Sequence, residues 1–213
     1  MRLLRGALGP GPAERGLPRP GQPLAVLTVP RPTVAVCDLD GTLIDSDAAL
    51  VAPFVALGVA VEAVGRGLPL AEECARHGVA VDDYLARYDS SVVEPYPGAA
   101  ELVAGLDRWA VCSNKHDTAG QAELHRMGWH PEVAFFTESF EGPKRLGPVL
   151  DALGVTVDDV VFLGDTAHDR TCAAEVGATF ALAGWNPHAE AVPGDVVLQH
   201  PLELLDLMDL LAG

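Results

Sequence analysis

The sequence predicts an α/β protein whose doubly wound parallel sheet carries a small α-helical cap. Three observations lead to this fold class. Short apolar runs that end in polar residues recur along the chain, helical stretches separate these runs, and residues 47–97 interrupt the alternation with helical patterns alone. Strands that alternate with helices of ordinary length form parallel sheets with helices on both faces. A chain of 213 residues is long enough for one such domain with a small accessory.

Composition and charge exclude several classes of partner. The chain has 30 acidic residues against 14 basic ones, a formal net charge of −16 and a pI of about 4.6. Such a surface repels phosphate backbones and anionic lipids, so we expect no nucleic-acid and no membrane partner. The longest uncharged apolar stretch, residues 48–61, is too short to span a bilayer. Because the four cysteines are spread singly and no export signal is evident, we expect free thiols in a cytoplasmic protein.

The first 32 residues differ in composition from the rest of the chain. They hold five arginines and a single acid, Glu14, among glycines and prolines, and they show no apolar period. Segments of this composition do not form a packed core. We therefore expect residues 1–32 to be a disordered leader, and the α/β core to comprise residues 33–46 and 98–213.

The predicted strands are short, uncharged and followed by a polar or small residue. They cover residues 34–37, 109–112, 133–136, 160–163 and 178–181. Helical patterns follow near residues 98–107, 117–127, 144–153, 169–176 and 201–212. Ligands of such sheets bind at the carboxyl ends of the strands, so the polar residues directly after each strand are the candidates for chemistry.

Residues 47–97 contain no convincing strand and are predicted to form a cap of three or four helices. Apolar positions follow a helical pattern over residues 48–64, 70–77 and 81–88, and Pro95-Tyr-Pro-Gly98 ends the segment. The insertion begins straight after the first strand and its polar loop, so we expect it to cover the strand ends. Its arginines, Arg66, Arg76 and Arg87, suit a small phosphorylated ligand.

The first strand is followed by Asp38-Leu-Asp40-Gly41-Thr42. Two carboxylates two residues apart in a turn can converge on one cation. A calcium-binding EF-hand loop would need its glycine at the sixth position, whereas here the glycine is the fourth residue. The pattern therefore indicates an acidic, cation-binding loop of another kind.

Polar residues also follow the second and fourth predicted strands. Ser113 and Asn114 offer a hydroxyl and backbone N–H groups for an anion, although both residue types also cap helices. Asp165 and Asp169 stand four residues apart at a strand-to-helix turn, where they can bind a metal while Asp169 caps the helix. Lys144 is one of only two lysines in the chain; we expect the other, Lys115, to enter a helix with a solvated outer face.

Taken in order, these segments resemble the four motifs of the haloacid dehalogenase superfamily, and in particular its phosphatases with a small helical cap. The motifs are DLDGTLIDS, VCSN, Lys144 within GPKRL, and FLGDTAHD, and the resemblance runs from about Thr33 to the C-terminus. The closing segment around Ala183-Gly-Trp-Asn186 is similar to that of phosphoglycolate-phosphatase-type members. The resemblance implies a Rossmann-like core and hydrolysis of a phosphate monoester through an aspartyl-phosphate intermediate.

The resemblance also implies a role for each matching residue. Asp38 would be the nucleophile, and Asp40 the general acid and then the general base. Mg²⁺ would be bound by the Asp38 carboxylate, the Asp40 backbone carbonyl and Asp165, with Asp169 keeping these ligands in place. Groups that bind the transferring phosphoryl group would be Ser113, the Asn114 amide and Lys144. The expected partner is a small phosphorylated metabolite; the oligomeric state stays open, with a monomer as the simplest case.

Other functions remain compatible with parts of this pattern. A dehalogenase of the same fold usually lacks the second carboxylate, so Asp40 argues against that activity. A phosphomutase or another phosphotransferase keeps both aspartates, and the DLDGT motif does not exclude it. A non-catalytic phospho-acceptor, such as a receiver-like signalling module, would show adjacent acids after the first strand and no long insertion before the second. A phosphatase is the function that the residues favour most.

Overall fold

The structure, a computed structural model, describes residues 33–65 and 67–212. The predicted leader, residues 1–32, and Arg66 lie outside the described residues. The strands are β1 (Val34–Cys37), β2 (Ile44–Asp45), β3 (Glu94–Pro95), β4 (Trp109–Cys112), β5 (Ala134–Phe135), β6 (Val160–Gly164), β7 (Thr179–Ala183) and β8 (Val196–Leu198). The α-helices are α1 (Asp47–Ala56), α2 (Leu70–His77), α3 (Val81–Leu85), α4 (Ala99–Gly105), α5 (Asp117–Met127), α6 (Leu146–Leu153), α7 (Ala167–Val176) and α8 (Glu203–Ala212).

Six of the strands form one sheet in the order β5-β4-β1-β6-β7-β8, and every pairing in it is parallel. Strand β1 lies at the centre, where Val36 is opposite Ala110 on one side and Phe162 on the other. The chain leaves β1 towards one edge and later returns to build the other half, which is the doubly wound arrangement. The predicted fold class is confirmed.

The central strands β1, β4 and β6 are buried at every position, so helices cover the sheet on both faces there. Along β1, Ala35 and Cys37 pack into a core with Leu102, Leu124 and Leu204, which belong to α4, α5 and α8. The alternate side chains of β1, Val34 and Val36, pack on the other face against buried residues of α6 and α7. A strand buried on both faces needs a continuous apolar run, and this explains why the central strands were predictable.

The predicted core elements match the observed ones to within a few residues, with two strands missed, the two-residue β2 and β8. Strand β8 escaped detection because it has three residues and lies at the sheet edge, where Val196 is 40% exposed and Val197 is 37% exposed. An edge strand of this length leaves no buried apolar run in the sequence. Across the described residues, none of the helices combines the length and apolar character that crossing a bilayer requires.

The segment of residues 47–97, called the cap segment below, contains α1, α2 and α3 with two short 3₁₀ helices, Val61–Ala63 and Ser90–Val92. The prediction of one helical pattern over 48–64 is wrong, because α1 ends at Ala56 and Gly58 follows with a φ of +90°. The prediction of no strand in this segment is also wrong. Strand β3 pairs antiparallel with β2 through Ile44 opposite Pro95 and Asp45 opposite Glu94.

Candidate active site

Three neighbouring strands deliver the candidate residues to one edge of the sheet. Asp38 follows β1, Ser113 follows β4 and Asp165 follows β6, and these strands lie side by side in the order β4-β1-β6. The carboxyl ends of parallel strands face the same way, so residues far apart in sequence meet there. The structure therefore brings together the predicted residues of all four motifs.

Asp38 lies at the centre of the cluster and is 5% exposed. Its Oδ2 atom is 2.7 Å from Lys144 Nζ, and its Oδ1 accepts a hydrogen bond from the Leu39 backbone N–H at 2.7 Å. Burial raises the pKa of Asp38 to about 6, since its cost to the charged form outweighs the opposing attraction of Lys144. At neutral pH the carboxylate is ionised, with one oxygen paired to a cation.

Asp165 and Asp169 complete a group of three buried carboxylates with Asp38, in which one oxygen of each lies within 4.8 Å of the others. Asp165 is oriented by two donors: Thr42 Oγ1 donates to its Oδ1 at 2.9 Å, and Asn186 Nδ2 donates to its Oδ2 at 2.7 Å. Burial, and then the charges of Asp38 and Asp169, raise the pKa of Asp165 well above its usual value. Such a site favours either protons or a bound cation.

Gly41 allows the loop after β1 to approach Asp165 closely. Its φ is +74°, and a Cβ atom at this position would lie 2.4 Å from Asp165 Oδ2 and 2.6 Å from Asn186 Nδ2. No real side chain tolerates contacts of that length with buried groups. The glycine of the DLDGT motif is thus required by the close packing between this loop and the acidic cluster.

Asp169 serves two purposes at once, as the sequence allowed. Its Oδ2 accepts hydrogen bonds from the Thr166 N–H at 2.9 Å and from Thr166 Oγ1 at 2.6 Å, which caps the first turn of α7. Its other oxygen, Oδ1, is 2.6 Å from Lys144 Nζ. Fully buried, Asp169 fixes Lys144 from the side opposite Asp38.

Lys144 lies just before α6 and is 2% exposed. Burial lowers its pKa, but Asp169 and Asp38 outweigh this effect and hold the net pKa above its usual value. Asn114 Oδ1 accepts a hydrogen bond from the Lys144 backbone N–H at 2.7 Å, while Asn114 Nδ2 donates to the Gly67 carbonyl of the cap segment at 2.9 Å. Ser113, 1% exposed, hydrogen-bonds Asp38 and opens the turn that contains Asn114. The lysine is therefore ionised and rigidly placed.

These residues fit a divalent cation. Asp38, Asp165 and Asp169 bring three negative charges into a buried volume, and Lys144 supplies one positive charge to it. Carboxylate oxygens are the hard ligands that Mg²⁺ prefers, and a deficit of two positive charges is what one such ion makes good. The Asp40 side chain is not a member of this group.

Asp40 lies beside the cluster, with its side chain 21% exposed. Its Oδ1 accepts hydrogen bonds from Ser46 Oγ at 2.5 Å and from Lys115 Nζ at 2.6 Å. Asp40 therefore lines the cavity described below, while its Oδ1 atom is fixed by the hydrogen bonds from Ser46 and Lys115. A partly accessible carboxylate next to Asp38 has the position needed for proton transfer to or from a bound ester.

The expectation that Lys115 is solvated is wrong, because the residue is 5% exposed. It precedes α5, which begins at Asp117, and its Nζ lies between Asp40 and Glu123 Oε2, 3.1 Å from the latter as an ion pair. Tyr88 Oη also accepts a hydrogen bond from it at 3.0 Å. Burial lowers the Lys115 pKa, but the two carboxylates outweigh it and raise the net value.

A cavity that is partly open to solvent separates the cap segment from the sheet. Its floor contains the charged residues described above. Its roof is mainly apolar, with side chains from Leu50, Val51, Phe54, Val64, Leu68, Leu70, Tyr84, Leu85 and Tyr88, and it also includes the carboxylates of Asp47 and Glu73. Arg76 and Arg87 do not line it: Arg76 pairs with Glu73 at 2.7 Å, and Arg87 donates to the Asp83 carbonyl at 2.7 Å. The prediction that these two arginines suit a phosphorylated ligand receives no support.

Sequence reasoning missed four residues of the site: Ser46, Tyr88, Glu123 and Asn186. One of them left a usable signal. Glu123 lies on the buried face of α5 with Ala119, Gly120 and Leu124, a spacing of three and four residues that a helical pattern would have placed on one side. An acid on such a face requires a buried cation, and Lys115 is that cation.

Several solved structures share this fold. A hydrolase of the haloacid dehalogenase-like family from Streptococcus pneumoniae gives a TM-score of 0.66 at 20% identity, over 82% of this chain and 97% of its own. A candidate phosphoglycolate phosphatase from Lactobacillus plantarum gives 0.68 at 19% identity, over 83% and 99%. A hydrolase of the same superfamily, subfamily IA, from Geobacter sulfurreducens gives 0.60 at 18% identity, over 83% and 96%.

No protein-family model and no curated protein matches the sequence. The similarity to solved structures extends over almost the full length of each neighbour, at identities of 20% or less. The chain therefore has the fold of the haloacid dehalogenase-like hydrolases, and the fold implied by the sequence resemblance is confirmed.

Proposed function

We propose that the protein is a Mg²⁺-dependent phosphatase that hydrolyses a small phosphate monoester through an aspartyl-phosphate intermediate. The observation that carries the proposal is the arrangement around Asp38, a buried carboxylate 2.7 Å from Lys144 within a group of three acids at the bottom of a cavity. A carboxylate attacks a phosphate dianion only where cations neutralise both partners. The fold shared with hydrolases of the haloacid dehalogenase type agrees with this chemistry.

In the first step, a carboxylate oxygen of Asp38 attacks phosphorus, and the bond between phosphorus and the leaving oxygen breaks. Two carboxylate oxygens contact Lys144 Nζ, and an ammonium has three N–H donors. The remaining donor is available to a phosphoryl oxygen, together with the Ser113 hydroxyl and the Asn114 backbone N–H. These groups stabilise the charge that develops on the transferring phosphoryl group.

Asp40 supplies the proton transfers of both steps. As an acid it protonates the leaving alkoxide; as a base it then removes a proton from the water that attacks the aspartyl phosphate. That second step releases inorganic phosphate and restores the Asp38 carboxylate. Its position beside Asp38, partly exposed in the cavity, supports this double role.

Mg²⁺ would be held by the Asp38 and Asp165 carboxylates and the Asp40 backbone carbonyl, while Asp169 keeps Lys144 in place. Bound there, the ion supplies positive charge that offsets the repulsion between Asp38 and the substrate phosphate. Thr42 and Asn186 orient Asp165 for this purpose through their hydrogen bonds. The charge deficit among the buried acids is the observation that supports the choice of a divalent cation.

The roof of the cavity bears on the choice of substrate. The cap side chains above the charged floor are mainly leucine, valine, phenylalanine and tyrosine, and the two lysines below them are already paired with carboxylates. We therefore propose a small phosphorylated metabolite whose leaving group presents an apolar, uncharged surface to the cap. Phosphate esters of short alkyl or aryl alcohols meet this description.

The test is a screen of phosphate esters with purified protein and Mg²⁺, in which release of inorganic phosphate is measured. Wild type should release phosphate from at least one class of ester, and Asp38→Asn should reduce the rate to background while it still unfolds in a single cooperative thermal transition. Asp158→Asn is the matched control and should keep wild-type turnover, because Asp158 is exposed and lies before β6, at the end of the strand opposite Asp165. Phosphate transfer to an added alcohol instead of water would indicate a phosphotransferase, and turnover by Asp38→Asn would overturn the proposal.

A further inference from the structure

Lys115 connects three parts of the molecule that are distant in sequence. Its Nζ lies 2.6 Å from Asp40 Oδ1 in the loop after β1, 3.1 Å from Glu123 Oε2 in α5, and 3.0 Å from Tyr88 Oη in the cap segment. The Tyr88 hydroxyl in turn donates a short hydrogen bond to Glu123 Oε1. Lys115 and Glu123 are buried, at 5% and 0% exposure. Burying this many polar groups is costly unless each has a partner.

The oxygens around Lys115 argue against a direct role in binding phosphate. An ammonium has three N–H donors and no acceptor. Lys115 donates hydrogen bonds to Asp40 Oδ1 and to the Tyr88 hydroxyl, and Glu123 Oε2 lies 3.1 Å from its Nζ as an ion pair without a hydrogen bond. The Tyr88 hydroxyl accepts from Lys115 and donates to Glu123 Oε1. Three protein oxygens thus surround the ammonium, and its contact with Asp40 is the route by which it can act on the reaction.

The contacts at Asp40 are one-sided. Both Ser46 and Lys115 act on Oδ1, and among the described residues none donates a hydrogen bond to Oδ2. Two donors on one oxygen restrain the carboxylate against rotation and leave the other oxygen to carry the proton. This is the orientation that a general acid needs when the reaction requires it to protonate a particular leaving oxygen.

Tyr88 makes this restraint depend on the cap segment. It stands seven residues before Pro95 of β3, and its ring lies 5.1 Å from Lys115 Nζ, so the aromatic face and the hydroxyl both contact the lysine. Tyr84 stacks on Tyr88 with ring centroids 6.1 Å apart and ties it to the helices of the cap segment. Moving the cap segment away from the sheet removes one partner each from Lys115 and Glu123.

We propose that Lys115, Glu123 and Tyr88 form a positioning network that holds Asp40 in its proton-transfer orientation when the cap segment is closed over the sheet. The inference rests on the proposed function, because it assigns the network to the acid step at Asp40. The three residues act on the rate through Asp40 and do not touch the reacting atoms. Protonation of the leaving group is thereby linked to closure over the substrate.

The leaving group of the substrate provides a readout that a purely structural role would not change. An alkyl alkoxide needs a proton as it departs, whereas p-nitrophenolate needs little help. In single-turnover phosphorylation at saturating Mg²⁺, Lys115→Met should slow the reaction of an alkyl phosphate by about 10–100-fold and that of p-nitrophenyl phosphate by less than about threefold. Added to Asp40→Asn, Lys115→Met should bring little further loss, because both changes remove the same contribution.

Tyr88→Phe tests the cap side of the network and keeps the proposal falsifiable if Lys115→Met does not fold. It removes only the hydroxyl that bridges Lys115 and Glu123, so it should reproduce the selective loss with alkyl phosphates, more weakly than Lys115→Met. Tyr84→Phe is the matched control: the Tyr84 hydroxyl donates to the Leu50 carbonyl at 2.9 Å and, among the described residues, bonds neither Lys115 nor Glu123. Tyr84→Phe should affect both substrates equally.

Each outcome separates this inference from the proposed function. If wild type is active, Asp38→Asn is inactive, and Tyr88→Phe and Lys115→Met slow both substrates to the same extent, the network is structural and the inference is overturned alone. If Tyr84→Phe shows the same selectivity as Tyr88→Phe, the effect comes from general loosening of the cap segment, which also overturns it. If wild type hydrolyses no ester, or Asp38→Asn retains turnover, the proposed function and this inference fail together.

Discussion

The two lysines of this chain occupy similar surroundings on opposite sides of the Asp38–Asp40 loop, and they differ in how many acceptors surround them. Lys144 lies between Asp38 and Asp169, and Lys115 lies between Asp40 and Glu123. Both are buried and both are held ionised by two carboxylates. Lys115 has a third acceptor, the hydroxyl of Tyr88, which comes from the cap segment.

This difference shows how the same residue type, equally buried, serves two purposes. Among the described residues, the two carboxylates paired with Lys144 follow strands β1 and β6, and they leave one N–H donor for a ligand. Lys115 is surrounded by three protein oxygens, and one of these, the Tyr88 hydroxyl, belongs to the cap segment. Lys144 is therefore suited to binding a substrate. Lys115 is suited to respond to the position of the cap segment through Tyr88.

The largest effect should come from exchanging the two lysines for methionine in turn. In single-turnover phosphorylation by p-nitrophenyl phosphate, Lys144→Met should lower the rate of aspartyl-phosphate formation by about 10²–10³-fold, because it removes a donor that acts on developing charge. Lys115→Met should change this rate by less than about threefold, since the good leaving group makes proton donation by Asp40 nearly dispensable. Rapid-mixing assays at saturating Mg²⁺ measure both rates, with circular dichroism as the check on folding. Comparable losses in both variants would remove the distinction between the two lysines.

The next largest effect should be on the pH dependence of folding stability, and it should come from Asp38, the partner of Lys144. Folding raises the pKa of Asp38 from 3.8 to about 6, so the folded protein holds this proton more tightly than the unfolded chain. The associated stability is present below pH 4 and is lost as the pH rises to 6. The loss is of order 2–3 kcal/mol in the absence of metal. Asp38→Asn should remove it.

Denaturant unfolding with EDTA at pH 4 and pH 7 measures this difference between wild type and Asp38→Asn. Relative to wild type, the variant should be more stable at pH 7 than at pH 4. Adding Mg²⁺ at pH 7 should restore stability to wild type, because the ion binds the ionised carboxylates. Stability curves for the two proteins that run parallel across this pH range would contradict the assignment.

A smaller effect is expected at Asn186, which donates a hydrogen bond to the acidic cluster beside Lys144 and, in the described part of the chain, bonds no residue of the Lys115 network. Asn186→Ala removes the donors to Asp165 Oδ2 and to the Gly41 carbonyl, both within 2.9 Å. Loss of such supporting contacts typically weakens metal binding by about 10–100-fold. Isothermal titration with Mg²⁺ should show this loss for Asn186→Ala. Glu123→Gln, on the Lys115 side, is the control and should bind Mg²⁺ as wild type does.

The smallest effect should be the stability change on removing the Tyr88 hydroxyl. Tyr88→Phe takes a hydrogen bond from the buried Glu123 carboxylate, which typically costs about 1.5–3 kcal/mol. The thermal unfolding midpoint should therefore fall by several degrees, whereas Tyr84→Phe, which loses a bond to a neutral carbonyl, should cost about 1 kcal/mol. A smaller loss for Tyr88→Phe than for Tyr84→Phe would mean that Glu123 does not depend on the cap segment.

The residues around Lys144 and the residues around Lys115 also differ in how well the sequence predicted them. Asp38, Asp165 and Asp169 follow buried strands, and local apolar patterns are enough to locate strand ends and the residues after them. Lys144 was found through the resemblance to known motifs. The network of Lys115 was not found, because burial of a charge depends on partners brought together by the fold, and Tyr88 and Glu123 are 35 residues apart in the chain. The sheet order and the short pairing of β2 with β3 are likewise long-range features without a local pattern.

The pairing of β2 with β3 has a practical consequence for engineering. Ile44 and Asp45 lie beside Pro95 and Glu94, so the chain leaves the sheet and returns to it at neighbouring points, about 5 Å apart as in any pair of strands. A segment with adjacent ends can be exchanged for another of different length without shifting the register of the six-stranded sheet. Chimaeras joined at these two strands would thus carry a new cap segment on an unchanged sheet and acidic cluster.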